Sequence, residues 1–178
     1  LTGIPRAHEE AEKRGIRLVV GCRLDLTDDM GSVLVYPTDR AAYGRLCRLL
    51  TLGKKAGKGK CHLTWSDLVA YGEGLLVILL PDLADEMLLA RLRRLKADFS
   101  DCAYVAMSLQ RRPNDHVRLH ELSEMARMTG VASVVTNDVL FHHPDRRMLQ
   151  DVVTCIRHNC TIDDAGFRRE RHADRYLK

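Results

Sequence analysis

Apolar positions in the second half of the chain alternate between short continuous runs and helical stripes. Continuous runs at residues 75–80, 103–107 and 131–135 predict strands that are covered on both faces. Stripes at helical spacing between them predict helices at residues 83–96 and 115–129. The order from residue 75 onward is therefore β-α-β-α-β-α, which favours a parallel sheet with helices outside it.

In the first half of the chain, helix-capping residues and structure-breaking glycine and proline residues mark the ends of the predicted elements. We expect a helix at residues 5–14, short strands at residues 17–20 and 32–36, and a turn at residues 25–31. Asp39 is a candidate N-cap, and the helix behind it should end near Gly53. One face of that helix is predicted to carry Tyr43, Leu46, Cys47 and Leu50. Thr64, with Asp67 three residues later, predicts a capping box before another short helix.

The last long helix is predicted to begin at Pro144, with Leu149, Val152, Val153 and Ile156 at helical spacing. The whole pattern predicts an α/β fold with about five strands, too few for a closed eight-stranded barrel. An incomplete barrel and an open doubly wound sheet both remain possible at this point.

Composition agrees with an ordinary folded domain, or a piece of one. The chain has 178 residues, of which 46% are hydrophobic and 29% charged, and its net charge is +4. That charge permits contact with nucleic acid without indicating it. Six scattered cysteines without a C-x-x-C pair favour a reduced, cytoplasmic protein. No apolar run approaches the roughly 20 residues that cross a bilayer.

The most informative strand end is the segment 136–143, where polar residues follow a buried run directly. Asp138 stands there with His142 and His143 close behind. A carboxylate and imidazoles at the mouth of a parallel strand are typical divalent-metal ligands. The alternative is that Asp138 caps a turn and both histidines are solvated. His116 and His120 also have metal-binding spacing, but an exposed helix face explains them better.

A glycine- and lysine-rich segment at residues 53–60 invites comparison with a phosphate-binding loop. Its spacing does not match the P-loop, and it follows a helix rather than a strand. We therefore expect a loop that neutralises phosphates without reading sequence, or one that is only solvated. The candidate phosphate and DNA-backbone contacts are Lys54, Lys55, Lys58 and Lys60.

Several stretches together resemble the PHP (polymerase and histidinol phosphatase) domain of bacterial C-family DNA polymerases. They are G-I-P-R-A-H at residues 3–8, R-L-V-V-G at 17–21, D-R-A-A-Y-G-R-L-C-R-L-L-T at 39–51, L-T-W-S-D-L at 63–68 and T-N-D-V at 136–139. The stretch at residues 149–162 is most similar to the error-prone polymerases of the DNA-damage response. The resemblance covers nearly the whole chain in order.

The resemblance implies a distorted seven-stranded β/α barrel, here incomplete, whose sheet is mostly parallel with helices outside. The family's early H-x-H and T-D-H motifs are missing, so the chain is expected to start at the helix after them. Asp138 matches the aspartate of a late T-N-D motif, but Leu140 replaces the histidine that follows it. Arg23 replaces the glutamate of the family's G-x-E motif. His142 is a doubtful substitute ligand because its offset is wrong.

The expected function is therefore that of a PHP-domain scaffold within an error-prone DNA-directed DNA polymerase, a nucleotidyltransferase that acts in replication and damage-tolerant repair. Residues 1–161 would form the PHP portion and residues 162–178 a basic connection to the polymerase body. Expected partners are the remaining polymerase chain, DNA through the full-length protein, and replisome or damage-response proteins, with no membrane. The expected cofactors are at most a residual zinc or manganese ion, and magnesium for the full polymerase. The alternatives are a stand-alone PHP-type metal-dependent phosphoesterase and an isolated interaction module.

Overall fold

The computed structural model describes residues 3–57, 59–109, 111, 113–170 and 172–177. Its α-helices are α1 (Ile4–Lys13), α2 (Arg40–Lys54), α3 (Trp65–Ala70), α4 (Glu86–Phe99), α5 (Asp115–Thr129) and α6 (Arg147–His158). Its strands are β1 (Cys22–Asp25), β2 (Ser32–Pro37), β3 (Leu75–Leu79), β4 (Ala103–Met107) and β5 (Ala132–Val135). Short 3₁₀ turns occur at Ser100–Cys102, Pro144–Arg146 and Gly166–Arg168.

The five strands form one sheet in the order β1-β2-β3-β4-β5, with β1 and β5 at its two ends. Strands β1 and β2 pair antiparallel, as do β2 and β3, whereas β3 and β4 pair parallel. The protein therefore has the predicted α/β class, but its sheet is mixed and, over the described residues, open.

The prediction of a mostly parallel sheet is wrong for the first three strands. A turn of only six residues, 26–31, joins β1 to β2, and so short a connection can only return the chain as a hairpin. Two helices separate β2 from β3, and the register pairs Pro37 at the end of β2 with Leu75 at the start of β3. The chain thus re-enters the sheet at the end where β2 left it. The single-helix connection through α4 gives the predicted parallel pairing of β3 and β4.

The strand predicted at residues 17–20 is also wrong. The structure places the first strand at Cys22–Asp25, where Leu24 is buried and pairs with Val33. Leu18 and Val19 are exposed instead. Pairing with β2 decides which residues become the first strand. The apolar run at residues 17–20 does not reveal that pairing, so it predicts the wrong position.

Polar caps begin the helices as the sequence predicts. The Asp39 carboxylate accepts a 2.7 Å hydrogen bond from the backbone N–H of Ala42 at the start of α2. At α3 the Thr64 hydroxyl accepts from the backbone N–H of Asp67, whose carboxylate in turn accepts from the backbone N–H of Thr64. Both predicted caps are therefore confirmed, and they fix where α2 and α3 begin.

The chain forms two compact units. The first comprises residues 1–106 and 121–134, and the second comprises residues 107–120 and 135–178. The first unit holds most of the apolar core, including β2, β3 and the inner face of α4. No helix within the described residues is both long enough and apolar enough to cross a membrane.

Trp65 organises part of the core of the first unit. Its indole N–H donates a 2.6 Å hydrogen bond to Asp98, and its ring packs edge-on against Phe99 with centroids 5.5 Å apart. Its backbone N–H donates to the carboxylate of Asp28 in the β1–β2 turn. These contacts tie α3 to α4 and to the hairpin through one residue.

The buried face of α2 shares Leu46 with the predicted face, but its other residues differ. Its buried residues are Ala42, Leu46, Leu49 and Gly53. A Cβ atom added to Gly53 would lie 2.7 Å from both the Cys61 sulfur and a Leu63 carbon, so the close packing requires glycine there. Gly53 is a close contact point in the last turn of α2, which ends at Lys54, so the predicted end near Gly53 is confirmed.

Two apolar elements are exposed. Strand β5, predicted to be covered on both faces, exposes most of its residues, and Val135 is 87% exposed. On α6 only Cys155 is buried, and Ile156 is 74% exposed. The sequence patterns found these elements correctly, but the described chain does not supply the surfaces that would cover them.

Candidate functional site

Asp138 lies in an irregular segment of the second unit that follows β5. Its backbone adopts a left-handed conformation with φ of 43°, which is uncommon for a residue other than glycine. The preceding Asn137 donates side-chain hydrogen bonds to the carbonyl oxygens of Asp174 and Tyr176, at 2.9 and 2.8 Å. Phe141 and Tyr176 form a parallel bridge next to it. The C-terminal residues therefore hold this segment in place.

The carboxylate of Asp138 is engaged by an arginine. The Arg175 guanidinium forms an ion pair with it, and Arg175 Nε donates a 3.0 Å hydrogen bond to the Asp138 carbonyl oxygen. The same guanidinium pairs with Glu170 at 2.8 Å. A guanidinium thus pairs with one oxygen of the Asp138 carboxylate, Oδ2.

The two histidines after Asp138 do not form a group of potential metal ligands with it in the described part of the chain. His142 and His143 are exposed. His143 Nδ1 lies 3.2 Å from a carboxylate oxygen of Asp145 and accepts a hydrogen bond from that residue's backbone N–H. Among the described residues, no three His, Cys, Asp or Glu side chains are grouped so that they could hold a metal ion. The assignment of Asp138 and His142 as metal ligands stays a prediction.

The residue at the family's glutamate position is stabilised by its own strand partners. Arg23 Nε donates a 2.9 Å hydrogen bond to Asp25, and its terminal nitrogen donates to the Ser32 hydroxyl at 3.2 Å. The Ser32 hydroxyl in turn donates to Asp25 and, with Arg23, holds the pKa of that carboxyl below its usual value. Arg23 is thus part of a polar cluster across β1 and β2.

The lysine-rich segment is a loop anchored at both ends. The backbone N–H of His62 donates a 3.0 Å hydrogen bond to the Gly53 carbonyl oxygen. This bond joins the two ends of the loop that follows α2. Lys54, Lys55 and Lys60 are exposed, and none of them takes part in an ion pair with another described residue. Lys58, the fourth predicted contact, lies outside the described residues. We call residues 54–60 the lysine loop.

A cleft of about 270 Å³ in the first unit is lined both by Arg23 and by a lysine of the candidate phosphate-binding segment. Arg23 from β1 and Lys54 from the lysine loop both line it, together with Asp25, Cys22 and Cys61. Burial raises the pKa of the Cys22 thiol, which keeps that thiol protonated at neutral pH. The cleft therefore carries two permanent positive charges against one carboxylate.

Sequence reasoning missed Arg175, which is the main partner of Asp138. The two residues are 37 positions apart, and Arg175 stands in a tail with several other basic residues. No local pattern distinguishes it from its neighbours. The tail was predicted to be a connection from residue 162 onward, and that boundary stays a prediction. His116 and His120 are exposed on α5, as expected.

Comparison with known proteins gives consistent relatives, although no family model matches the chain. The chain is 74% identical over 179 residues to Error-prone DNA polymerase 1 of Agrobacterium fabrum and 63% identical to Error-prone DNA polymerase 2 of the same organism. It is 45% identical over 180 residues to the Error-prone DNA polymerase of Caulobacter vibrioides. Each match covers 100% of this chain but only 16–17% of the relative.

The chain therefore spans about a sixth of the length of the curated relatives it matches. The resemblance to error-prone C-family polymerases that the motifs predict is confirmed by these identities. From its first residue to its last, this chain is similar to one segment of the error-prone DNA polymerases.

Proposed function

We propose that this chain is a PHP-type scaffold segment of an error-prone DNA-directed DNA polymerase and performs no phosphoester hydrolysis of its own. The observation that carries the proposal is the ion pair between Asp138 and Arg175. A carboxylate that is neutralised by a guanidinium is a poor ligand for a divalent cation, because the metal would have to displace the arginine. The family's carboxylate position at Arg23 is likewise a cation.

The scaffold role is supported by the exposed apolar surface of α6. Met148, Val152 and Ile156 line an open groove of about 1080 Å³ in the second unit. An apolar surface of this kind on a helix is typical of a protein–protein contact. More than four fifths of each relative lies outside the matched segment, so the occupant we propose is the remaining polymerase chain. The exposed strand β5 offers a second surface of the same kind.

The finer fold assignment is part of the same proposal. The open, mixed sheet of five strands would be part of an incomplete, distorted PHP barrel, which further strands of the full-length protein complete beside β5. The full-length enzyme would use magnesium at carboxylates outside this segment and act in the cytoplasm on DNA, together with replication or damage-response proteins. The similarity to named error-prone polymerases supports this assignment.

Metal content and phosphoester turnover test the proposed lack of hydrolysis. The purified chain is incubated with zinc or manganese, desalted, analysed for bound metal and assayed with p-nitrophenyl phosphate. We expect substoichiometric metal and no turnover above the level of an Asp138→Asn variant. Stoichiometric metal with turnover that is lost in Asp138→Asn would instead establish the stand-alone phosphoesterase.

The cleft that joins Arg23 to the lysine loop supports a second role, contact with the DNA backbone. Arg23 and Lys54, beside the other lysines of the loop, give a positively charged surface that suits phosphate groups without base recognition. We propose that Lys54, Lys55, Lys58 and Lys60 contact backbone phosphates when the full-length polymerase holds DNA.

A further inference from the structure

Helix α6 ends in a hydrogen-bonding pattern that brings two particular residues together. Asn159 adopts the left-handed conformation, with φ of 48° and ψ of 51°, just after the helix. The backbone N–H of Cys160 then donates a 3.1 Å hydrogen bond to the carbonyl oxygen of Cys155, and that of Asn159 donates to Ile156. This pair of bonds is a Schellman motif, in which the residue after the left-handed position lies against the residue five places earlier. Here both of those residues are cysteines.

Both cysteines carry free thiols. Cys155 is 8% exposed, whereas Cys160 is half-buried, and both line the open groove beside α6. The Cys155 thiol also donates to the Thr161 carbonyl oxygen at 3.6 Å. An oxidant in solution therefore reaches Cys160 with Cys155 already beside it.

We propose that Cys155 and Cys160 are a redox pair that a peroxide converts into an intramolecular disulfide. The backbone geometry favours a disulfide, because a backbone hydrogen bond already joins the two residues and both line the same groove. Neither cysteine belongs to the candidate metal ligands or to the lysine loop, so the proposal does not depend on the proposed polymerase function.

The chemistry balances with hydrogen peroxide as the oxidant. The Cys160 thiolate attacks one peroxide oxygen, the O–O bond breaks, and Cys160 becomes a sulfenic acid with release of hydroxide. The Cys155 thiol then attacks the Cys160 sulfur, the S–O bond breaks, and the S–S bond forms. The hydroxyl leaves as water after it takes the thiol proton. In sum, two thiols and one peroxide give one disulfide and two waters.

Cys155 is the resolving residue because of its environment. Burial and the neighbouring Cys160 raise the pKa of the Cys155 thiol, which keeps it protonated at neutral pH. A protonated, buried thiol reacts slowly with peroxide, so the more accessible Cys160 is oxidised first.

Peptide mapping of the peroxide-treated chain tests the proposal. Trypsin cuts after Arg157, which places Cys155 in the peptide 148–157 and Cys160 in the peptide 158–168. The native chain is treated with a small excess of hydrogen peroxide, alkylated, digested and analysed by mass spectrometry. We expect one species in which these two peptides are joined, lighter than their sum by two hydrogen atoms and separated by dithiothreitol.

Two variants complete the experiment. Cys160→Ser removes the more exposed partner and should abolish the joined species, whereas Cys102→Ser should leave it unchanged. Circular dichroism of the Cys160→Ser chain verifies that it is folded before treatment. The proposal is overturned if Cys155 and Cys160 are recovered separately, as alkylated or sulfinic forms, while peroxide is consumed. It is equally overturned if either cysteine is found linked to a different cysteine.

Discussion

At the scale of single residues, Asp138 combines an unusual backbone conformation with a fixed ion pair. Its left-handed φ and its contact with Arg175 both follow from the way residues 172–177 pack against the segment 136–141. A turn role for Asp138 was one of the two alternatives that its sequence left open. Aspartate and asparagine tolerate the left-handed region better than other residues do, because their side chains bond locally.

Two replacements of Asp138 should separate the effect of its backbone conformation on stability from the effect of its charge. Asp138→Asn keeps a residue suited to positive φ, while Asp138→Ala loses both that tolerance and the partner of Arg175. We expect the alanine variant to be less stable than the asparagine variant by about 1 kcal/mol. Urea unfolding measures the difference, with the exposed Asp163→Ala as the control that should match the unchanged chain. Equal stability of the alanine and asparagine variants would contradict the conformational argument.

Asp67 gives a prediction for pH. Its hydrogen bond from the Thr64 backbone N–H, together with the one from the Thr64 hydroxyl, lowers the pKa of the Asp67 carboxyl in the folded state. The unfolded chain then binds the proton more tightly, so the contribution of this carboxylate is full above pH of about 4 and is lost as the pH falls through the lowered value.

An Asp67→Asn variant should therefore lose less stability than the unchanged chain as the pH falls. Urea unfolding at pH of about 5 and about 3 measures the two slopes. Exposed Ser66→Ala, one position earlier in the same helix, serves as the control and should retain the original slope. Identical slopes for the unchanged chain and Asp67→Asn would show that the capping box does not lower this pKa.

At the scale of elements, the sequence predicts features that depend on neighbouring residues, such as caps and apolar stripes. It does not predict features that depend on contacts between distant parts of the chain. The capping residues of α2 and α3, the apolar stripe of α4 and the four strands other than β1 follow from patterns within a few residues. The position of β1 depends on pairing with β2, and the partner of Asp138 lies 37 positions away. Neither relation is visible in local periodicity, because each depends on how the chain folds back.

Two helices with similar apolar stripes should respond differently to substitution. Leu92 of α4 is fully buried, whereas Ile156 of α6 is 74% exposed. Leu92→Ala should cost about 2–5 kcal/mol through the cavity that it leaves. Ile156→Gln should change stability by about 0.5 kcal/mol or less, since the side chain is already in water. Thermal unfolding of both variants is the measurement, and a large loss in Ile156→Gln would show that the α6 face is covered within this chain.

At the scale of the whole molecule, the lysine loop should govern binding to DNA. The variant with Lys54, Lys55, Lys58 and Lys60 changed to Ala lowers the net charge from +4 to zero. The charge-matched control changes four exposed basic residues of the N-terminal region to Ala, namely Arg6, Lys13, Arg14 and Arg17. If the loop contacts phosphates, only the first variant flattens the dependence of duplex binding on salt, as fluorescence anisotropy would report. Equal flattening in both variants would mean that the net charge alone attracts DNA.

The exposed α6 groove and the strand β5 at the sheet end have a common explanation in this account. Both are apolar surfaces without a cover in the described chain, and both are expected where a segment meets the rest of a polymerase about six times its length. The ion pairs of Asp138 with Arg175 and of Arg23 with Asp25 agree with the proposed scaffold role.

Primer extension by the full-length polymerase to which the proposal assigns this segment is the most direct test of that claim. A double variant, Val152→Gln with Ile156→Gln, disrupts the α6 surface, Asp138→Asn removes the candidate metal ligand, and Leu83→Gln changes an exposed apolar residue elsewhere. We predict that the double variant loses about tenfold or more of the extension rate, while Asp138→Asn and Leu83→Gln retain it. Loss of extension in Asp138→Asn together with full activity of the double variant would contradict the scaffold role.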